Sequence, residues 1–62
     1  MNKNELLNSV GKVLRWKNDE TIFFVLLKVE SATYLLARIL ALSYNGNITY
    51  CTINPAVVEV LF

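Results

Sequence analysis

The chain has no histidine, one cysteine, one proline and two glycines, and only 18% of its 62 residues are charged. Each scarcity closes a route. With Cys51 alone no internal disulfide can form, and without histidine a zinc site has too few ligands. Cys51 also has no base to activate it, and the five acidic residues form no cluster beyond Asp19-Glu20, so neither a nucleophile–base pair nor an acid–base dyad is written here. Asp19-Glu20 reads as a solvated turn and Cys51 as a small buried hydrophobe within a strand. The expectation is a protein that is not an enzyme and has no cofactor, no metal site and no small-molecule substrate. Net charge is +1, which excludes strongly basic or acidic interaction tails. The opening Met-Asn-Lys-Asn-Glu-Leu-Leu-Asn lacks the apolar stretch of a signal peptide. Ile39–Val58 is free of charge but is broken by Asn45-Gly46-Asn47 and Asn54-Pro55, so it does not read as a membrane-spanning helix. A soluble, cytoplasmic protein without a membrane partner is expected, consistent with an unpaired cysteine.

Apolar residues, at 55%, are in surplus against the usual share of about 45–50%. They concentrate in two runs, Thr21–Val29 and Tyr34–Tyr44, that are apolar at odd and even positions alike. Successive strand residues face opposite ways, so a strand covered on one side should alternate. A single domain of residues 1–62 buries only ~60% of its unfolded surface. Its core rarely supplies more than ~3–5 kcal/mol unless a disulfide, a metal or a partner assists. With the first two excluded, association remains, and the chain reads as a homo-oligomer or a subunit of a larger complex.

Along the chain, Asn2 with Glu5 resembles a capping box, and Leu6-Leu7 offers an apolar patch for one or two helical turns. From Val10 the pattern is β-like, with Val10, Lys12, Leu14 and Trp16 on one face and Gly11, Val13, Arg15 and Lys17 on the other. Lys17–Glu20 is a polar turn and Ser31–Thr33 a second short connection. Tyr34–Tyr44 reads as a strand leading into an Asn45-Gly46 hairpin, with Tyr44 beside Asn47, Leu42 opposite Thr49 and Leu40 opposite Cys51. Ser31 as N-cap and Gly46 as helix stop support the alternative of an α+β fold with a helix over 32–45. Ile48–Ile53 is rich in β-formers, Asn54-Pro55-Ala56 suits a 3₁₀ turn, and Val57–Phe62 closes as a strand.

A mostly β chain of five short strands with a helical turn before the first and another before the last resembles the SH3-like superfold, and the leading helix resembles its Sm-like variant. The resemblance covers Leu6–Phe62 and rests on element order and apolar rhythm. It implies a strongly bent five-stranded small barrel. The second strand lacks the glycine that usually permits its sharp bend. Glu30-Ser31-Ala32-Thr33 also stands where an Asp and an Asn usually follow, so no RNA-contacting residue carries over.

Two candidate surfaces follow. Phe23, Phe24, Arg38 and Tyr44 suit a protein interface, with one of the adjacent phenylalanines entering the core and the other needing a cover. Arg38, set in an apolar run, would project into a partner or pair with Glu30 or Glu59. Lys12, Arg15, Trp16 and Lys17 combine half the cations with the only tryptophan, as nucleic-acid grooves do, although alternation divides them between two faces. The functional expectation is an assembly module that binds itself or a larger protein. The alternative is a small oligomeric barrel binding RNA or DNA.

Overall fold

A computed structural model describes residues 1–42 and 46–61. It is mostly β, with one short helix, α1 (Lys3–Leu7), and five strands: β1 (Val13–Trp16), β2 (Asp19–Ser31), β3 (Leu36–Ala41), β4 (Asn47–Thr52) and β5 (Val58–Val60). A 3₁₀ turn, Pro55–Val57, precedes β5. The strands form one antiparallel sheet in the order β4-β3-β2-β1-β5. That sheet is open, with β4 and β5 at its two ends. The closed barrel implied by the resemblance is therefore not what the pairing gives.

α1 begins where the capping box places it. The Glu5 N–H donates to Asn2 Oδ1 at 2.8 Å, and the Asn2 N–H donates back to Glu5 Oε1 at 3.2 Å. A five-residue helix is marginal alone. Its anchor is Leu6, fully buried in a core with Leu14, Phe24, Leu26, Ala37, Ile39, Ile53 and Val58. Asn54 likewise starts the 3₁₀ turn, its side chain accepting from the Ala56 N–H, with Pro55 in first position, where a missing N–H costs nothing.

β1 starts at Val13 rather than Val10. Gly11 stands at φ +88°, a left-handed conformation that a side chain disfavours. The Gly11 N–H donates to the Leu26 carbonyl at 2.7 Å and the Leu26 N–H to the Lys12 carbonyl at 3.1 Å, so the chain is tied to β2 before regular pairing begins. The second apolar run becomes a strand only from Leu36. Residues 32–35 form a turn ending at Leu35 with φ +55°, a conformation costing about 1–2 kcal/mol for an L-residue. Leu35 packs against the core and its carbonyl accepts the Ile53 N–H at 3.0 Å, contacts that hold it there. The helical alternative over 32–45 does not form among the described residues.

The β3–β4 register departs from the expected hairpin. Leu40 faces Ile48 and Ala41 faces Asn47, leaving five residues, 42–46, to connect the strands. Pairing Leu40 with Cys51 would have turned Cys51 outward and Tyr50 and Thr52 toward the core. The observed register instead sets Cys51 beside Ala37 and draws Ile53 into the core. The Gly46 N–H donates to the Ala41 carbonyl at 3.2 Å. The expected contact of Tyr44 with Asn47 lies outside the described residues.

β2 spans 13 residues and changes register twice against β3, between Leu26 and Lys28 and between Val29 and Ser31. Bulges of this kind bend and twist a strand, so β2 has a means of bending without glycine.

Candidate interaction surface

The ladders fix which side chains share the face turned away from the core. One row across the sheet runs Glu59–Arg15–Phe23, the next Val13–Val25–Leu40–Ile48, and a third Lys28–Arg38–Tyr50. The middle row is apolar across four strands. Directly opposed β-branched and aliphatic pairs contribute about 0.2–1 kcal/mol each, but they leave their outer surfaces uncovered. Exposure grows toward β4, where Ile48 is 63% and Tyr50 56% exposed. Leu42, just past β3, is exposed as well. Among the described residues, the helix and the 3₁₀ turn contribute Leu6 and Val57 to the opposite, core side.

Ion pairs bracket the apolar row. Arg15 donates from Nε to Glu59 Oε1 at 2.9 Å, and its Nη2 lies 2.8 Å from the same oxygen. At the other end Glu30 receives Arg38 Nη2 at 3.5 Å and Lys28 Nζ at 4.0 Å. Arg38 also donates to the Tyr50 hydroxyl, its guanidinium carbon 5.1 Å from the ring centroid. An apolar centre with a polar rim is the usual anatomy of a protein interface.

The open edges are equally specific. Antiparallel pairs alternate between those that exchange hydrogen bonds and those that do not. The Ile53–Leu35 bond makes Cys51–Ala37, Thr49–Ile39 and Asn47–Ala41 the bonded pairs. Ile48, Tyr50 and Thr52 therefore aim their N–H and C=O groups away from β3. On β5 the Lys17 N–H donates to the Val57 carbonyl and the Leu61 N–H to the Val13 carbonyl, both at 2.8 Å. Glu59–Arg15 is then the bonded pair, and Val58 and Val60 face the other open edge.

The expected site residues divide sharply. Phe24 is 1% exposed and belongs to the core, where it presents nothing to a partner. Phe23 is 37% exposed on the outer face. Arg38 lies on that face too, paired within the chain, and Tyr44 lies outside the described residues. The cationic cluster is not brought together. Trp16 packs against the core with its ring 5.5 Å from that of Phe24, while Arg15 turns to the other face and is neutralised by Glu59. Lys17 sits in the exposed turn after β1. Lys12, before β1, lines an open depression of about 260 Å³ with Met1, Glu5, Asn8, Ser9 and Val60. The Ser9 hydroxyl is already committed to the Glu5 carbonyl at 2.6 Å.

Sequence reasoning missed the Val13–Val25–Leu40–Ile48 row. The signal that reveals it is the hairpin register, since a shift of three residues moves Leu40 from Cys51 to Ile48. Among the described residues no group of three or more potential ligands could hold a metal ion, and no helix is long and apolar enough to cross a membrane. The chain matches no family model, and no curated protein or solved structure resembles it significantly.

Proposed function

We propose that this chain is a non-catalytic assembly module that acts through the outer face of its sheet and an open edge strand, first by binding copies of itself and otherwise by docking on a larger protein. The carrying observation is the apolar row Val13–Val25–Leu40–Ile48, half-buried over its first three members and exposed at Ile48 on the β4 edge. Edge strands hold unsatisfied N–H and C=O groups, so adding a strand satisfies hydrogen bonds while covering apolar surface. The finer fold reading, an SH3-like and specifically Sm-like small barrel, is supported by the element order and by the terminal positions of β4 and β5. The bulges of β2 offer the bend that a closed form requires.

The nucleic-acid alternative has less support. Phosphate binding depends on several cations acting together, and here Arg15 is neutralised while Lys12 and Lys17 flank opposite ends of β1. Native mass at low and high salt, with and without single-stranded RNA or DNA, separates the two readings. An apolar assembly should persist or tighten in sulfate, and Ile48→Asp, at the exposed end of the row, should reduce its mass without loss of the β circular-dichroism signal. A wild-type chain that stays monomeric at every concentration and salt refutes self-association. Complexes that form only with nucleic acid and dissolve in salt would favour the alternative.

A further inference from the structure

We infer that the association is a twofold one in which β4 pairs antiparallel with β4 of a second copy; this rests on the self-association reading above and specifies its edge, its symmetry and its end point.

The first reason is the strand itself. Natural edges are blunted by charges, proline, bulges or brevity. β4 reads Asn-Ile-Thr-Tyr-Cys-Thr, six residues with no charge and no proline, and its pairing with β3 is unbroken over all six. β5 has only three residues, carries Glu59 at its centre and follows Pro55 closely. Because β4 carries no charge, setting it against its own copy opposes no like charges. The nearest cations, the two Arg38 side chains, would stand three strand spacings apart, roughly 14 Å, beyond the screening length of about 8 Å at physiological salt.

The second reason is direction. In the order β4-β3-β2-β1-β5 every neighbour is antiparallel, so β4 and β5 run the same way. A second copy placed head to tail with the same face up would set its β5 parallel to β4, the slightly less stable pairing per residue. A twofold axis normal to the sheet sets β4 antiparallel to its copy and keeps both outer faces on one side. Ile48, Tyr50 and Thr52 then use their outward backbone groups, and the same residues bring their exposed side chains together. Ile48 of one copy would lie beside Tyr50 or Thr52 of the other, an aromatic or β-branched neighbour of the type that stabilises antiparallel sheets. The two apolar rows then pass each other at the shared edge, each ending against an exposed side chain of the other copy. Such a pairing is isologous and closes at two copies.

The direction of the Ile48 N–H supplies the test. Because it points to the open edge, Ile48→Pro removes a donor to the partner and leaves the β3–β4 bonds intact, the setting in which a strand tolerates proline. The twofold axis deletes that donor in both copies, so the dimer dissociation constant should rise about tenfold or more. Ile48→Lys, at a residue with an exposed side chain, is the second variant and should weaken the dimer likewise. Val60→Pro, which removes an outward donor on β5, should leave it unchanged. Sedimentation velocity over a concentration series reads all four proteins, with circular dichroism confirming the fold. The expected result is a wild-type species that ends at twice 7.1 kDa and is weakened by both Ile48 changes. An association that Ile48→Lys and Ile48→Pro leave untouched, that Val60→Pro disrupts, or that grows beyond two copies overturns the twofold inference while leaving self-association standing. A wild-type chain that never associates overturns both.

Discussion

Adjacent phenylalanines on one strand offer a sharp test of which face of β2 carries the fold. Phe24 is 1% exposed, at the centre of the core, and Phe23 is 37% exposed on the far side of the same strand. Deleting a buried phenylalanine ring costs the lost transfer energy plus a cavity term, about 3–5 kcal/mol for Phe→Ala. A 62-residue chain has a total stability of about 3–9 kcal/mol at typical values per residue, so Phe24→Ala should leave the fold marginal or lost. Phe23→Ala gives up a side chain that is already partly in water and should cost about 1 kcal/mol. At roughly 4–8 °C of melting temperature per kcal/mol for a domain of this size, the two variants should differ by at least about 8 °C. Trp16 is the only tryptophan, and its ring lies 5.5 Å from that of Phe24. Its fluorescence therefore reports both unfolding in urea and, for Phe24→Ala, an altered native environment. Measurements at one low protein concentration keep association from adding stability unequally. Phe23→Ala equal to or worse than Phe24→Ala under those conditions would refute the face assignment.

Asn2→Ala removes the capping acceptor and should cost about 1 kcal/mol, with faster amide exchange at Glu5 as the local sign; unchanged exchange there would show that Leu6 packing alone fixes α1. The Arg15–Glu59 pair is partly exposed, with side chains 30% and 38% accessible. A double-mutant cycle on it should return about 0.2–1 kcal/mol, shrinking in 1 M salt, and a salt-independent value of several kcal/mol would contradict that degree of exposure.

Local chemistry was legible in the sequence wherever it is written by a few neighbouring residues. The Asn2–Glu5 box and the Asn54-Pro55 turn stand where their residues place them. The polar turn after Trp16 is shorter than Lys17–Glu20 suggests, since Asp19 and Glu20 already open β2 and leave Lys17-Asn18 as the turn. Register was not legible, because it depends on groups far apart. Asn45-Gly46 argues for a two-residue hairpin, but the pairing is set by bringing Cys51 to Ala37 and Ile53 to Leu35, contacts between strands that no local signal announces. The same limit hid the outer-face row, whose four members come from four strands. The cationic cluster was legible in part, since alternation already divides its members between two faces. Lys12, Arg15, Trp16 and Lys17 are neighbours in sequence, but strand alternation and the Gly11 conformation send them in different directions. Arg15 then meets Glu59 from the other end of the chain.

The two-sided apolar character of Thr21–Val29 has two separate origins. Phe24 and Leu26, at even positions, face the core, and a strand without bulges would continue with Lys28. The register change after Leu26 instead pairs Lys28 with Arg38 on the outer face and Val29 with Ala37 on the core face. Odd and even residues therefore both serve the core, in successive segments of one strand, and that part of the surplus needs no partner. What remains is narrower. Val25 and its row mates Val13, Leu40 and Ile48 are apolar on the outer face without any bulge to account for them. Their exposure is greatest at Ile48, on the one long edge that lacks a protective charge. The apolar surplus on the outer face is thus not spread along both apolar runs. It lies in one row and ends where an added strand would begin.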